Sequence, residues 1–313
     1  MKIAVVEPLG ITEEQARECT ADFKGRGWDL VLYKDRPDSI PVLQERLQDA
    51  EAAVIADLPL PEEVVRNCPS LKMISVAFTG VDHIAVSQCR TQGIAVSNSA
   101  GYSNESVSEL VMGMALSLYR RLSDCDHAVR TGRTRAGLTG RELCGKKFGI
   151  IGTGAIGKQT ARLARAFGCE VLGFSRKKEE GPFQWVPLDT LLSESDIISL
   201  HVPLTEETKG MIGPEALKKM KPTALLINAA RGPVVNAEAL AQALREGKLA
   251  GAGIDVFDRE PPLPPDHFLL SCPHVILSPH IGFATEEAMV RRARIVFDNI
   301  RQWADGHQQN TIC

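Results

Sequence analysis

Short apolar runs rich in β-branched residues recur along the chain, separated by longer stretches with helical spacing. This alternation predicts a parallel α/β architecture. The first hundred residues hold five such runs, at Ile3–Val6, Asp29–Tyr33, Ala53–Ala56, Met73–Ala77 and Ile94–Val96. A second series starts at Phe148–Ile151 and continues through Val171–Phe174, Ile197–Val202, Ala224–Asn228, Gly253–Val256 and Val275–Ser278. Two sheets are the economical reading. Between the series, Asn104–Leu122 carries Val107, Leu110, Val111, Met114, Ala115 and Leu118 at spacings of three and four, so a connecting helix with one buried face is expected. Ser103 is its expected N-cap, and Arg120 and Arg121 lie near its C-terminal end. A final helix is expected over Glu286–Trp303, and the stretch Pro261–Pro265 reads as a rigid loop.

A chain of 313 residues has room for two domains of ordinary size. With 44% hydrophobic and 24% charged residues it has the composition of a globular protein. A net charge of -3 leaves no basic footprint, so nucleic acid and an anionic membrane surface are not expected as partners. The apolar start ends at Glu7 and Pro8, too early for a signal segment, and no later stretch approaches a membrane span. The eight cysteines form no C-x-x-C pair and no zinc-type spacing, so they read as thiols in a reducing compartment and no metal is expected. A cytoplasmic location follows from these readings.

The clearest chemical motif is Gly152-Thr-Gly154-Ala155-Ile156-Gly157, which follows the apolar run Phe148–Ile151 and opens a helix over Ile156–Phe167. Strand, glycine turn, helix and second strand within about thirty residues are the context in which such glycines bind a dinucleotide. Gly152 permits the tight turn, Gly154 lets the backbone approach a pyrophosphate, and Gly157 lets helix and strand pack closely. The phosphates would sit on the helix N-terminus. At the end of the second strand, where a carboxylate would bind the ribose of NAD, the chain carries Ser175, Arg176 and Lys177, then Lys178. A hydroxyl and a guanidinium suit a 2′-phosphate, so NADP(H) is the expected cofactor, with NAD(H) open. Glu179 and Glu180 partly neutralise this basic run, which by itself could also be a solvated face.

Three further residues lie just past expected strand ends. Arg231 follows Ala224–Asn228, Glu260 follows Gly253–Val256, and His280 follows Val275–Ser278. Each alone is commonplace. Together, at the edge of an α/β sheet where ligands bind, they can clamp a carboxylate and move a proton.

The motifs Phe78-Thr-Gly-Val-Asp-His, Gly152–Gly157, His201-Val-Pro-Leu-Thr, Asn228-Ala-Ala-Arg-Gly, Gly253-Ile-Asp-Val-Phe, Glu260-Pro-Pro and Pro279-His-Ile-Gly run end to end, and the last four are specific in order and spacing. With them the chain resembles the D-2-hydroxyacid dehydrogenases, a family that includes glyoxylate and hydroxypyruvate reductases. The resemblance implies two Rossmann-like or flavodoxin-like doubly wound parallel-sheet domains with a cleft between them. Residues 1–100 with 284–313 would form the substrate-binding domain, and 101–283 the dinucleotide-binding domain. It implies hydride transfer between NAD(P)H and a small 2-ketoacid or D-2-hydroxyacid. His280 would be the general acid and base, Glu260 its partner, and Arg231 the carboxylate clamp. The loop Ala77, Phe78, Thr79, Gly80 would receive the substrate with Arg231 and His280. Thr79 and Asp255 would lie near the nicotinamide and Val202 and Pro203 on the adenosine side, and Ala229, Ala230, Arg231, His280 and Gly282 would also bind the cofactor. A homodimer joined through the cofactor domain is implied, with Asn104–Leu122 and the arm after it as the contact.

Phe78 places an aromatic ring in the substrate loop, where it would exclude or stack on a bulky side group. Phe283 stands where many relatives carry Trp or Ser, which bears on the pocket's shape. A phosphite- or formate-type dehydrogenase is the alternative on the same fold, though formate users carry Gln where this chain has Glu260. A non-enzymatic, dinucleotide-sensing protein like the family's corepressors is the alternative from another class. His83, His127, His267, His274 and His307 match no catalytic template, and His201 is expected to meet cofactor through its backbone.

Overall fold

The structure is a computed structural model that describes residues 1–178, 180–260 and 262–313. Glu179 of the charge run and Pro261 of the proline stretch lie outside the described residues. The chain divides into two compact units, Met1–Ser103 with Ala284–Cys313, and Asn104–Phe283.

In the first unit, β1 (Lys2–Val5), β2 (Asp29–Leu32), β3 (Ala52–Ile55), β4 (Met73–Val76) and β5 (Ala95–Ser97) form a parallel sheet in the order β2-β1-β3-β4-β5. This is the flavodoxin-like winding. β3 and β4 are buried at every position, which explains why they read as unbroken apolar runs: helices cover both faces of such a sheet. The terminal helix Glu286–Ala304 belongs to this unit and buries Ala293, Val296, Phe297 and Ile300. Its Val296 carbonyl accepts the hydroxyl of Ser75 in β4 at 3.0 Å. Beyond it, Thr311 bridges antiparallel to Ser97, so the C-terminal tail lies along the β5 edge.

The second unit holds β6 (Lys147–Ile151), β7 (Glu170–Phe174), β8 (Gln184–Trp185), β9 (Ile197–Leu200), β10 (Leu225–Asn228), β11 (Gly251–Ile254) and β12 (Val275–Leu277). All pairs are parallel, in the order β12-β11-β10-β9-β6-β7-β8. The strand order reverses between β6 and β9, the switch point at which doubly wound sheets bind ligands. The two-residue edge strand β8 carries too little periodicity to be read from sequence.

The expected helix Asn104–Leu122 is two helices, Asn104–Arg120 and Leu122–Arg130. The break is Arg121, whose φ of 53° is left-handed and cannot continue a helix. Its guanidinium holds the corner, donating to Asp124 at 2.9 Å and to the Gly137 carbonyl at 2.6 Å. The first helix packs tightly on the sheet: a Cβ at Gly253 would stand 2.9 Å from Met114 Sδ.

Candidate active site

Six of the residues expected at the site in the second unit fall at one edge of its sheet, within three positions of the carboxyl end of a strand. Gly152 follows β6, Ser175 follows β7, Val202 follows β9, Ala229 follows β10, Asp255 follows β11 and His280 follows β12.

The glycine turn fits a dinucleotide. Gly152 has φ +95°, and a Cβ there would lie 2.5 Å from the His201 carbonyl oxygen. At Gly157 a Cβ would lie 2.1 Å from the Gly152 carbonyl, so the helix can seat on the turn only without a side chain at this position. Gly154 differs. It is the N-cap of the helix Ala155–Ala166, and a Cβ there would meet no protein atom within 4 Å. The open face lies at a helix N-terminus with no acidic residue in its first turn, a setting that favours phosphate. Beside it, Thr153, Gly154, Ser175, Arg176 and Lys177 line a cavity of about 600 Å³.

On the adenosine side, His201 donates its backbone N–H to Ile151 at 2.7 Å, and its Nε2 meets the Ser199 hydroxyl at 2.9 Å. Burial pushes the His201 imidazole down to about 4, so the ring is neutral at ordinary pH. The loop after Pro203 is tied by Thr208, whose hydroxyl donates to the Pro203 carbonyl at 2.6 Å. Sequence reasoning missed Glu207 in this loop. The Thr205 hydroxyl, first, and then a backbone N–H draw its carboxyl below the usual range, with a smaller pull from the Arg176 charge.

The strand ends that carry Arg231 and His280 are level. Asn228 stands opposite Ile254, and Ile254 opposite Leu277, so Arg231 and His280 both come three positions beyond one row of the sheet. Asn228 brackets Arg231: its Nδ2 donates to the Arg231 carbonyl at 2.9 Å and its Oδ1 accepts the Ala230 N–H at 3.1 Å. A polar residue closing an apolar strand was the signal that could have marked Asn228. His280 has φ 53° and sends its backbone N–H to the Asp255 carbonyl at 2.8 Å. Its Nδ1 lies 3.2 Å from Glu260 Oε1, and its ring meets Phe283 edge-on with centroids 5.6 Å apart. The Asp255 carboxylate is buried and accepts from Ser278 Oγ at 2.6 Å, Ile281 N at 2.9 Å and Gly282 N at 2.8 Å. Asp255, expected toward the nicotinamide, is thus the anchor of the loop that carries His280.

In the first unit, Ala77, Phe78, Thr79 and Gly80 follow β4. The ring of Phe78, expected to exclude or stack on a bulky side group, is 8% exposed and packs edge-on to Tyr102 and His83, with the Arg292 guanidinium 5.5 Å from its centroid. The apolar ring is better satisfied in this internal cluster than in water.

Residues 112–282 match the family described as D-isomer specific 2-hydroxyacid dehydrogenase, NAD binding domain. A glyoxylate reductase of Korarchaeum cryptofilum is 40% identical over 286 residues, covering 87% of this chain and 86% of the relative. A D-lactate dehydrogenase from Aquifex aeolicus, solved with NAD and lactic acid, superposes with a TM-score of 0.86 at 32% identity, covering 98% of this chain and 96% of that one. An acyclic imino acid reductase solved with NADPH and D-Arg superposes with a TM-score of 0.91 at 26% identity over the whole of both chains. The chain belongs to the D-isomer specific 2-hydroxyacid dehydrogenase family. It is an NAD(P)-dependent oxidoreductase of glyoxylate reductase type, built on two parallel sheets. Among the described residues no helix is long and apolar enough to cross a membrane.

Proposed function

We propose that this protein reduces a small 2-ketoacid such as glyoxylate or hydroxypyruvate, with NADPH preferred over NADH. The observation that carries the reading is the His280–Glu260 contact of 3.2 Å at the carboxyl edge of the dinucleotide-binding sheet. When bound, NAD(P)H would supply the hydride for reduction of the ketoacid at C2. With Nδ1 engaged by Glu260, His280 gives the proton on Nε2 to the carbonyl oxygen as charge develops there, and takes it back in the oxidation. Glu260 orients the ring through its contact with Nδ1. Arg231 offers paired donors to a substrate carboxylate, and the loop Ala77–Gly80 is the segment of the first unit proposed to receive one on backbone N–H groups. Ser175, Arg176 and Lys177 would hold a 2′-phosphate, and the cavity that they line with Thr153 and Gly154 supports this preference.

Initial rates with glyoxylate, hydroxypyruvate, pyruvate and phenylpyruvate, each with NADPH and NADH, test the substrate and cofactor. His280→Ala should lower kcat by at least about a hundredfold, the usual weight of one proton-transfer group. Near-normal turnover in that variant overturns the role of His280, and a strong preference for NADH overturns that of Arg176.

A homodimer is part of the proposal. The helix Asn104–Arg120 buries Val107, Val111, Met114 and Ala115, whereas Leu122 and Val129 of the next helix are 52% and 77% exposed. The arm beginning at Arg121 is therefore the favoured contact. Light scattering should give a dimer mass that Val129→Glu reduces.

A further inference from the structure

The loop proposed to receive the substrate carboxylate is held by its carbonyl groups, all from one side. The Val76 carbonyl accepts the Ser99 hydroxyl at 2.8 Å, the Phe78 carbonyl accepts the Ser99 N–H at 2.9 Å, and the Thr79 carbonyl accepts Asn98 Nδ2 at 2.7 Å. In a trans peptide the N–H points opposite to the preceding C=O. Anchoring the Phe78 and Thr79 carbonyls on segment 98–99 therefore aims the N–H groups of Thr79 and Gly80 the other way, as two consecutive donors. Successive N–H groups presented together form an anion-binding concavity.

What holds Asn98 is unusual in its length. Asn299, fully buried in the terminal helix, donates from Nδ2 to the Asn98 carbonyl at 2.9 Å and to the Ser75 hydroxyl at 3.2 Å. Asn299 Oδ1 in turn accepts Nδ2 of Asn310 at 2.9 Å. Asn310 lies in the C-terminal tail with φ 49°, and its carbonyl accepts the Asn98 N–H at 3.0 Å. Three carboxamides thus run from the tail to the loop. Asn299 joins them by accepting from Asn310 and donating to the Asn98 backbone carbonyl, which needs a side chain that both donates and accepts; Asn98 and Asn310 act along this line as donors.

We propose that Asn98, Asn299 and Asn310 are positioning residues that set the aim of the Thr79 and Gly80 N–H groups, so that the C-terminal tail controls affinity for the ketoacid carboxylate. This deepens the proposed reductase reading and rests on it. The relay acts on ground-state and transition-state carboxylate alike, so its loss raises KM for the ketoacid and leaves kcat in place.

The test is a steady-state comparison of Asn98→Ala, Asn310→Gly and Gly80→Pro, with glyoxylate as substrate and NADPH binding followed separately by fluorescence. Glycine at 310 keeps the left-handed backbone and removes only the side chain. Gly80→Pro removes one aimed N–H outright, at a glycine whose φ is not positive. Thermal melts establish that each variant is folded. One lost hydrogen bond corresponds to a rise in glyoxylate KM of about tenfold in Asn98→Ala and about threefold in Asn310→Gly, with kcat and NADPH affinity within about twofold. A rise in Gly80→Pro with no rise in the two asparagine variants overturns the relay and keeps the loop's role. An unchanged KM in folded Gly80→Pro overturns the loop's role itself. A parallel fall of kcat in the asparagine variants also overturns the proposal. If Asn98→Ala does not fold, Asn310→Gly decides: a wild-type KM counts against the relay and a raised one supports it.

Discussion

Asp255 Oδ2 accepts the Gly282 N–H at 2.8 Å, and a Cβ at Gly282 would stand 2.9 Å from that same oxygen. One carboxylate therefore fixes the loop on either side of His280, through Ser278 before it and Ile281 and Gly282 after it. Asp255→Ala leaves these donors without their acceptor, at a cost of about 1–3 kcal/mol for each group that stays buried. Thermal unfolding should show a lower Tm, and kcat should fall with it because the left-handed backbone at His280 loses its support. Gly282→Ala should give a milder form of both effects.

Gly154 and Gly157 should separate binding from folding. Gly157→Ala must push the helix off the Gly152 carbonyl, so both Tm and NADPH affinity should drop. At Gly154 the added methyl meets only open space on the protein side. Gly154→Ala should melt within a degree or two of wild type while its NADPH affinity falls about tenfold or more, since the methyl occupies the face left for the pyrophosphate. Calorimetry and fluorescence titration on the same samples check the pair.

Arg176→Ala should weaken NADPH selectively. A charge-assisted hydrogen bond of about 1.5–3 kcal/mol corresponds to a KM for NADPH about 10–100-fold higher, with NADH little changed. Glu207→Gln, which removes a negative charge that acts on Arg176, should move NADPH affinity the opposite way. Raising ionic strength should weaken NADPH more than NADH, because the extra phosphate contact is screened.

His201 makes stability depend on pH. Its folded value is pushed down to about 4 from an ordinary 6.5, so below about 6.5 the unfolded chain binds a proton that the folded chain does not. This stabilisation is intact above that range and is lost as pH falls from about 6.5 toward 4, amounting to about 3 kcal/mol. Urea midpoints at pH 7.5 and 5 should differ by less in His201→Gln than in wild type.

The strand runs and the glycine turn were legible in the sequence because they are local, as was the placing of Arg231, Glu260 and His280 beyond strand ends. A buried parallel strand is a continuous apolar run, and a tight phosphate turn demands glycine wherever it occurs. The relations among these pieces were not local. That Asn228, Ile254 and Leu277 share one row comes from pairing between strands many residues apart. Arg121 could not be seen to end a helix, since its left-handed backbone is held by Gly137 and Asp124 rather than by its neighbours' propensities. Phe78 reads as a pocket residue by position, but Tyr102, His83 and Arg292 take its ring. Chain order alone thus determined which chemical groups stand at the ends of the strands. Tertiary structure decided how they are held, because the hydrogen bonds of Asp255, Asn98 and Asn299 close only once distant segments have packed together.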